Sequence, residues 1–247
     1  MFSIQAEDFD WPQCSVVDCQ GAQLNGGRCV RHLDGDEARG DVLADIDRTG
    51  DIDVRGVRLD ADLVQELIKR CPVVDGRVRV RNLRCDLARF EGEAEFADMT
   101  LENASFYAAR FEAEPSFEDL VFEKSVSFDN ATFVDGVMFL DSQFKNGASF
   151  GGARFDSLAS FYDLRFAGVA GFWAAQFKHG AHFERVTFAD FDFSSAQVDG
   201  DVQFLNTRFT GTVGDEWVVI LGKLDLSSST FEQDMSMQIR ALRSVWW

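Results

Sequence analysis

The chain has little of what a secreted mini-scaffold, a membrane protein or a nucleic-acid binder requires. It holds only 5 cysteines in 247 residues, and no charged-then-apolar leader opens it. A disulfide framework is therefore not expected, and a reducing, cytoplasmic setting is. No apolar run approaches the roughly 18 residues that a membrane-spanning helix needs. Positive charge is scarce: 24 Lys and Arg stand against 42 Asp and Glu, a net charge of -18 at pH 7. Such a field repels nucleic acid and anionic membrane, so a protein partner with a basic surface is the expected one. Histidines number three. No phosphate-cradling glycine loop and no Ser/His/Asp or Cys/His set suggests itself, which makes an enzyme the least expected class.

Phenylalanine is what the chain has in excess, 25 residues against 2 tyrosines. From Phe90 to Phe209 a large apolar residue recurs at 23 positions, 21 of them Phe, with every gap 5 or 6 residues. The exceptions are Leu101 and Val198. Neither a helix nor a flat strand runs at that period. Two residues before these positions lie small or apolar side chains such as Ala104, Ala109, Ala131, Ala153 and Ala175. In extended backbone, i and i−2 point to the same side. Each unit therefore sends two side chains inward and turns a corner, as one face of a coil does.

Column purity sets the number of faces. Inward residues 11 apart alternate in size along Ala109, Leu120, Ala131, Ser142, Ala153, Leu164, Ala175 and Val186. The repeat is therefore 22, with four faces per turn and a narrow alanine column opposite a wider one. Asp135-Gly136, Asn146-Gly147, His179-Gly180 and Asp199-Gly200 fall in six-residue gaps and suit corners that need a positive φ. The pattern extends from Val78 to Phe231, 154 residues or 7 turns, a stack of roughly 33 Å at strand spacing.

The segment from Ala104 to Phe209 resembles the pentapeptide-repeat family in a Phe-rich form with alternating five- and six-residue units. The resemblance implies an all-β solenoid, a right-handed quadrilateral β-helix with small α-helical caps, usually without enzymatic activity. It departs from the commoner pattern of Leu or Phe at every fifth residue, so more irregular corners are expected.

The ends carry chemistry of another kind. Cys14-x4-Cys19-x9-Cys29-x2-His32 offers four soft or borderline ligands to a structural tetrahedral zinc ion, and Gly26-Gly27 permit the tight knuckle that such a site needs. The segment also resembles short Cys/His modules of bacterial proteins. The alternative is unpaired thiols in a disordered arm. Residues 1–35 are thus a candidate zinc knuckle, and residues 36–76 a helical N-terminal cap. There Asp60 or Asp62 can cap a helix carrying Leu63, Leu67 and Ile68 that ends at Pro72. Residues 77–231 form the β-helix. Residues 232–247 form a C-terminal helix with Met235, Ile239, Leu242 and Trp246 at helical spacing, which either caps the coil or makes a homodimer contact.

On the outer surface, Tyr107, Leu140, Tyr162 and Trp173 each follow an inward Phe and are candidates for a partner-docking strip, or for scattered aromatics without a role. His179 and His182 read as a solvated corner pair, and Cys71 and Cys85 as small apolar residues. Residues 86–213 hold 21 acids and 9 bases, so most of the negative charge belongs to the rod. Two functions follow: a non-enzymatic interaction module, or a DNA imitator. The resemblance implies the latter because some acidic members of the family occupy the DNA-binding saddle of gyrase and confer inhibitor resistance. That alternative needs acids along one face and a two-fold dimer. Direct contact of the knuckle with nucleic acid is disfavoured by the acidic field, although Arg28 and Arg31 flank Cys29.

Overall fold

A computed structural model describes residues 10–33, 36–214, 217–233, 238–241 and 244–246. The chain winds into a parallel β-solenoid of about 7 turns. One face is a 9-stranded ladder that starts at Arg58–Leu59, passes through Arg89–Phe90, Arg110–Phe111 and Thr132–Phe133, and reaches Gln238–Ala241. The other three faces share an 18-stranded sheet. Long strands such as Glu95–Ser105 run across all three, pairing with Ser116–Phe122 and Val126–Ser127 one turn on. All pairings in the two sheets are parallel except a hairpin of Val73–Val74 against Arg77 and Val78.

The phenylalanines fill the tube. Phe90, Phe111, Phe133, Phe155 and Phe177 stack in one column at centroid distances of 4.5, 5.0, 5.1 and 4.5 Å. Phe96, Phe117, Phe139, Phe161 and Phe183 form a second, and Phe122, Phe144, Phe166 and Phe188 a third. Phe106, Phe128, Phe150 and Phe172 form the fourth, at 4.8, 4.9 and 4.6 Å. Rings of different columns meet edge to face, as Phe150 does with Phe139 at 5.6 Å. This geometry places the positive ring edge on the negative face. The alanines between them are as buried as the rings: Ala109, Ala131, Ala153 and Ala175 are all 0 % exposed. Ser142, equally buried, accepts from the Leu120 N–H at 3.0 Å and donates to the Leu140 carbonyl at 2.9 Å, so its hydroxyl is satisfied within the core.

The period is 22 on most turns, as in the middle of the rod and again from Phe209 to Phe231, but some turns are one residue shorter. Phe111 pairs with Phe133 and Phe133 with Phe155, but Phe90 pairs with Phe111 and Phe183 with Phe204, which are 21 apart. The second shortening follows a register shift between Phe166 and Val169 that brings Phe191 under Ala170 in the small-residue column. Phe191, which the repeat pattern does not single out, thus adds a ring to that column. Phe172 and Phe193 consequently meet at 6.2 Å and 74° instead of stacking.

The corners use left-handed backbone more widely than glycine spacing suggests. Gly136, Gly147 and Gly180 have φ of 107, 84 and 96°, whereas Gly200 is not in that region. A Cβ on Gly147 would lie 2.3 Å from the Val169 carbonyl oxygen, which explains the glycine there. Non-glycine residues take the same conformation two positions after an inward Phe, at Asp98, Asp119, Asp141 and Asp163 along one edge and at Ala108, Asn130 and Ala174 along another.

The coil starts earlier than residue 77, since Asp51–Asp53 pairs with Asn82–Arg84 and Arg58–Leu59 with Arg89–Phe90. Helix α1, Asp36–Thr49, precedes this turn, and α2, Ala61–Lys69, is inserted into it. Asp60 caps α2 by accepting from the Leu63 N–H at 2.9 Å. Leu63, Val64, Leu67 and Ile68 are buried. Val64, Leu67 and Ile68 close over Ile52, Val54, Leu83, Phe90 and Phe96, around a void of about 20 Å³. The open end of the tube is thereby covered by apolar side chains.

At the other end the described residues of the span expected as a helix, 232–247, are not helical. Gln238–Ala241 and Ser244–Trp246 are strands that pair in parallel with Trp217–Ile220 and Lys223–Asp225. Ile239 and Trp246 therefore lie on ladder strands, and Met235 and Leu242 fall outside the described residues. The apolar spacing that suggests a helix also fits strands, and hydrogen-bonding partners offered by the coil beneath decide between them.

Phe150 stacks on both Phe128 and Phe172 and is 0 % exposed. Phe150→Ala is expected to destabilise the fold by roughly 3–5 kcal/mol in a denaturant titration, and an unchanged midpoint would place its ring outside the core. Hydrogen bonds from Arg81, Arg110 and Arg185 hold Asp51, Glu112 and Asp163 below the ordinary carboxylate range. Their contribution is present above that range, near pH 4, and is lost as pH falls through the depressed values. The melting temperature should accordingly fall as the pH drops below about 4.

Candidate metal centre

Residues 10–33 fold into a knuckle through short local hydrogen bonds rather than a core of their own. Cys14 N–H donates to the Gly21 carbonyl at 2.8 Å and Cys19 N–H to Val16 at 3.1 Å. A single antiparallel bridge joins Gln13 to Ala22. The return runs through two 3₁₀ turns, Asn25–Gly27 and Val30–His32, with Gly26 and Gly27 at φ of 80 and 83°. In the second turn the His32 N–H donates to the Cys29 carbonyl at 2.9 Å, which puts both side chains on the same side.

These turns bring Cys14, Cys19, Cys29 and His32 together, their ligand atoms all within 4.8 Å of one another. The Nδ1 of His32 lies 3.5 Å from Sγ of Cys14 and 3.5 Å from Sγ of Cys29, and Sγ of Cys19 lies 3.7 Å from Sγ of Cys29. A tetrahedral ion with metal–sulfur distances of about 2.3 Å and a metal–nitrogen distance of about 2.0 Å separates its ligands by about 3.6–3.8 Å. The three short edges fit that figure, so the group could bind a metal ion. It is the one group of three or more such ligands among the described residues.

The thiols also show what a cation would relieve. Burial opposes ionisation of Cys14, but backbone N–H groups of Cys29 and Val16 and the His32 ring outweigh it and bring the thiol down to about 6. Cys29 is pushed up to about 12, first by burial and then by the neighbouring Cys19. Closely packed thiols thus cannot all ionise alone, whereas a bound dication would hold each as thiolate.

The knuckle is fastened to the first turn of the coil. Ala22 N–H donates to the Arg55 carbonyl at 2.7 Å, the Arg55 guanidinium lies 4.7 Å from the centre of the Trp11 ring, and Arg31 donates to the Arg58 carbonyl at 2.7 Å. Cys29 and Val30 are 0 % and 3 % exposed and share one apolar cluster with Val57 and Leu43. Gly21 permits this close contact, since a Cβ there would lie 2.8 Å from Cβ of Cys29 and 2.9 Å from Cγ2 of Val57. Arg55 and Gly21 have no motif around them; only the coil's register reveals their role.

The remaining candidates are not brought into one site. Tyr107 and Trp173 are both 47 % exposed and share a corner column with Asp129 and Gly151 between them. Trp173 covers Gly151, where an added Cβ would fall 2.1 Å from its Cε2. Leu140 and Tyr162 are partners on successive turns of another face, flanked by Glu118 and Glu184. The four residues thus occupy two separate columns. His182 stands on the outward side of strand Ala181–Glu184 with its ring 5.1 Å from that of Tyr162, and His179 is exposed at the preceding corner. Cys71 and Cys85 are buried in the apolar core, and burial raises both thiols.

With the coil and its knuckle in view, comparison with known families matches residues 86–132 and 114–153 to pentapeptide repeats. The matched segment carries pentapeptide repeats, and the register of the coil continues on both sides of it. Searches among curated proteins and among solved structures give no match. Among the described residues, no helix is long and apolar enough to cross a membrane.

Purified protein is expected to contain one metal ion per chain by atomic emission. Chelation should open residues 10–33 to protease while the strand signal in circular dichroism persists. Gly21→Ala should weaken metal retention roughly tenfold, because it displaces Cys29 without removing a ligand. Equal retention would mean that the contact with Val57 does not hold the ligand in place.

Proposed function

We propose that the protein is a non-enzymatic interaction scaffold, a rigid acidic rod whose N-terminal end is sealed by a zinc-stapled knuckle. The solid interior carries this reading. From Phe90 to Phe209 the stacked phenylalanines are closed to solvent, and the residues between the rings are mostly alanine, leucine, valine and satisfied hydroxyls. Ligands must therefore meet the outside of the tube. Three sulfurs and one imidazole nitrogen in tetrahedral spacing suit zinc, and a fully protein-ligated ion of that kind is structural. Its binding energy would order a segment that has no apolar periodicity.

Imitation of a DNA duplex is the second reading, and one feature favours it. Asp98, Asp119, Asp141 and Asp163 occupy equivalent corner positions on four successive turns. Against it, Arg77 bonds Asp119 and Arg185 bonds Asp163. Elsewhere carboxylates are paired along the faces, as in Arg89–Glu112, Lys145–Glu123 and Lys178–Asp156. Paired charges keep a rod soluble without presenting a bare polyanion.

The scaffold reading is tested by crosslinking capture from cell lysate with the purified rod as bait, followed by reconstitution with the captured protein. A stoichiometric complex is expected. A rod that forms none, or a turnover activity assigned to it, would overturn the reading. In a supercoiling assay, micromolar protein is expected to leave gyrase activity and inhibitor sensitivity unchanged; inhibition or protection would favour DNA imitation.

A further inference from the structure

We propose that the groove between the knuckle and the first face is a docking site for an acidic peptide segment of a protein partner. This rests on the scaffold reading and assigns it a place and a ligand chemistry. The groove has a volume of about 700 Å³ and is lined by Arg31 from the knuckle and Arg58, Arg89 and Arg110 from the coil. Register produces the cluster: Arg58 pairs with Arg89 and Arg89 with Arg110, so three guanidinium groups project from successive strands on the same side. Like charges stacked one strand spacing apart, about 4.8 Å, repel unless anions lie between them.

Among the described residues, the carboxylates that answer these arginines are fewer. Glu91 serves both Arg31 at 3.5 Å and Arg58 at 3.8 Å, and Glu112 serves both Arg89 at 2.8 Å and Arg110 at 2.7 Å. Asp18 is the other carboxylate on the lining, and the ligands Cys19 and His32 form one edge. On the lining four guanidinium groups face two carboxylates, Asp18 and Glu91, and the metal-loaded Cys3His centre at the edge would add one negative charge; a positive excess of one remains, in a chain whose net charge is -18. Among the described residues Arg58, with its side chain 65 % exposed, pairs with a carboxylate only at 3.8 Å, which leaves its planar fork open to a further one. Val17, 84 % exposed, and Leu87 give the groove apolar surface between the charges.

These features favour a peptide over a nucleic acid. A short acidic segment engages the local arginines, while a longer polyanion would run on into the acidic field of the rod. The same field selects a partner whose acidic segment belongs to an otherwise neutral or basic protein.

The test is fluorescence anisotropy of fluorescein-labelled octaglutamate with the full chain, using octalysine and an eight-nucleotide oligo-dT for comparison. Saturable, salt-sensitive binding of octaglutamate is expected. The double variant Arg58→Ala, Arg89→Ala should weaken it roughly tenfold, and Arg154→Ala, on the same face but outside the groove, should leave it unchanged. Melting curves that superpose would show that the variants are folded. No octaglutamate binding, equal binding by the double variant, or preferential binding of oligo-dT would each overturn the proposal. If the double variant still captures the lysate partner, the groove assignment fails and the scaffold reading stands. If the wild-type chain captures nothing, the scaffold reading itself fails.

Discussion

One distance governs this molecule: the backbone hydrogen bond from each coil to the next fixes a rise of about 4.8 Å. Aromatic rings stack comfortably at nearly the same separation, and the columns show it, with centroids from 4.3 Å between Phe144 and Phe166 to 5.3 Å between Phe139 and Phe161. Backbone and side-chain optima coincide, so neither must strain for the other. This agreement explains why phenylalanine, rather than any apolar residue, fills the tube, and why smaller residues must stand beside it: between the rings the narrow column takes alanine, and the wider one serine, valine and leucine. Where Phe191 replaces alanine, the compromise is local. Phe172 and Phe193 turn out of parallel, and Phe191 packs instead against Phe188 at 4.7 Å.

A coil built by pairing with its own neighbours has unpaired edges where it stops, and this protein treats the N-terminal edge with three separate pieces. Helix α2 places Val64, Leu67 and Ile68 over the open core, α1 is tied to it through Arg39 and Glu66, and the knuckle adds Cys29 and Val30 beside Val57. The knuckle is the conditional part. Its backbone bonds to the coil are few, and its four ligands lie in a cluster whose charges conflict until a cation joins them. A metal ion bound there would therefore also attach a lid.

The repeat was legible because it rests on side-chain volume. Twenty-one phenylalanines at gaps of five and six admit few folds, and the inward columns follow directly from the alternation. The knuckle was legible from ligand spacing. The 21-residue turns were harder, because losing one corner residue leaves every inward residue inward and changes only the register with the next coil. The strand ending of the chain was missed because Ile239 and Trp246 satisfy a helical spacing as well as a strand on a template, and the template is not local information. The arginine groove was hidden for a related reason. Arg89 and Arg110 each precede an inward Phe, but α2 is inserted between Arg58 and Arg89, which are 31 positions apart, and Arg31 arrives from another module.

Solenoid register also makes the outside of the rod a set of ladders, and electrostatics then constrains what can stand on each. Identical charges on successive turns sit about 4.8 Å apart, close enough to repel even near water. Most of the surface avoids this by alternation: Arg154 and Lys178 share Asp156, and Lys145 answers Glu123 one turn below. The aspartate edge and the arginine column are two same-sign ladders, and their treatment differs. The aspartates receive Arg77 from outside the column and Arg185 from the next position along it, which quiets part of the charge. The arginines share their carboxylates two to one and sit beside a recess of about 700 Å³. A repulsive column that the protein leaves under-compensated next to open space is a place where an external anion lowers the energy of the fold it binds.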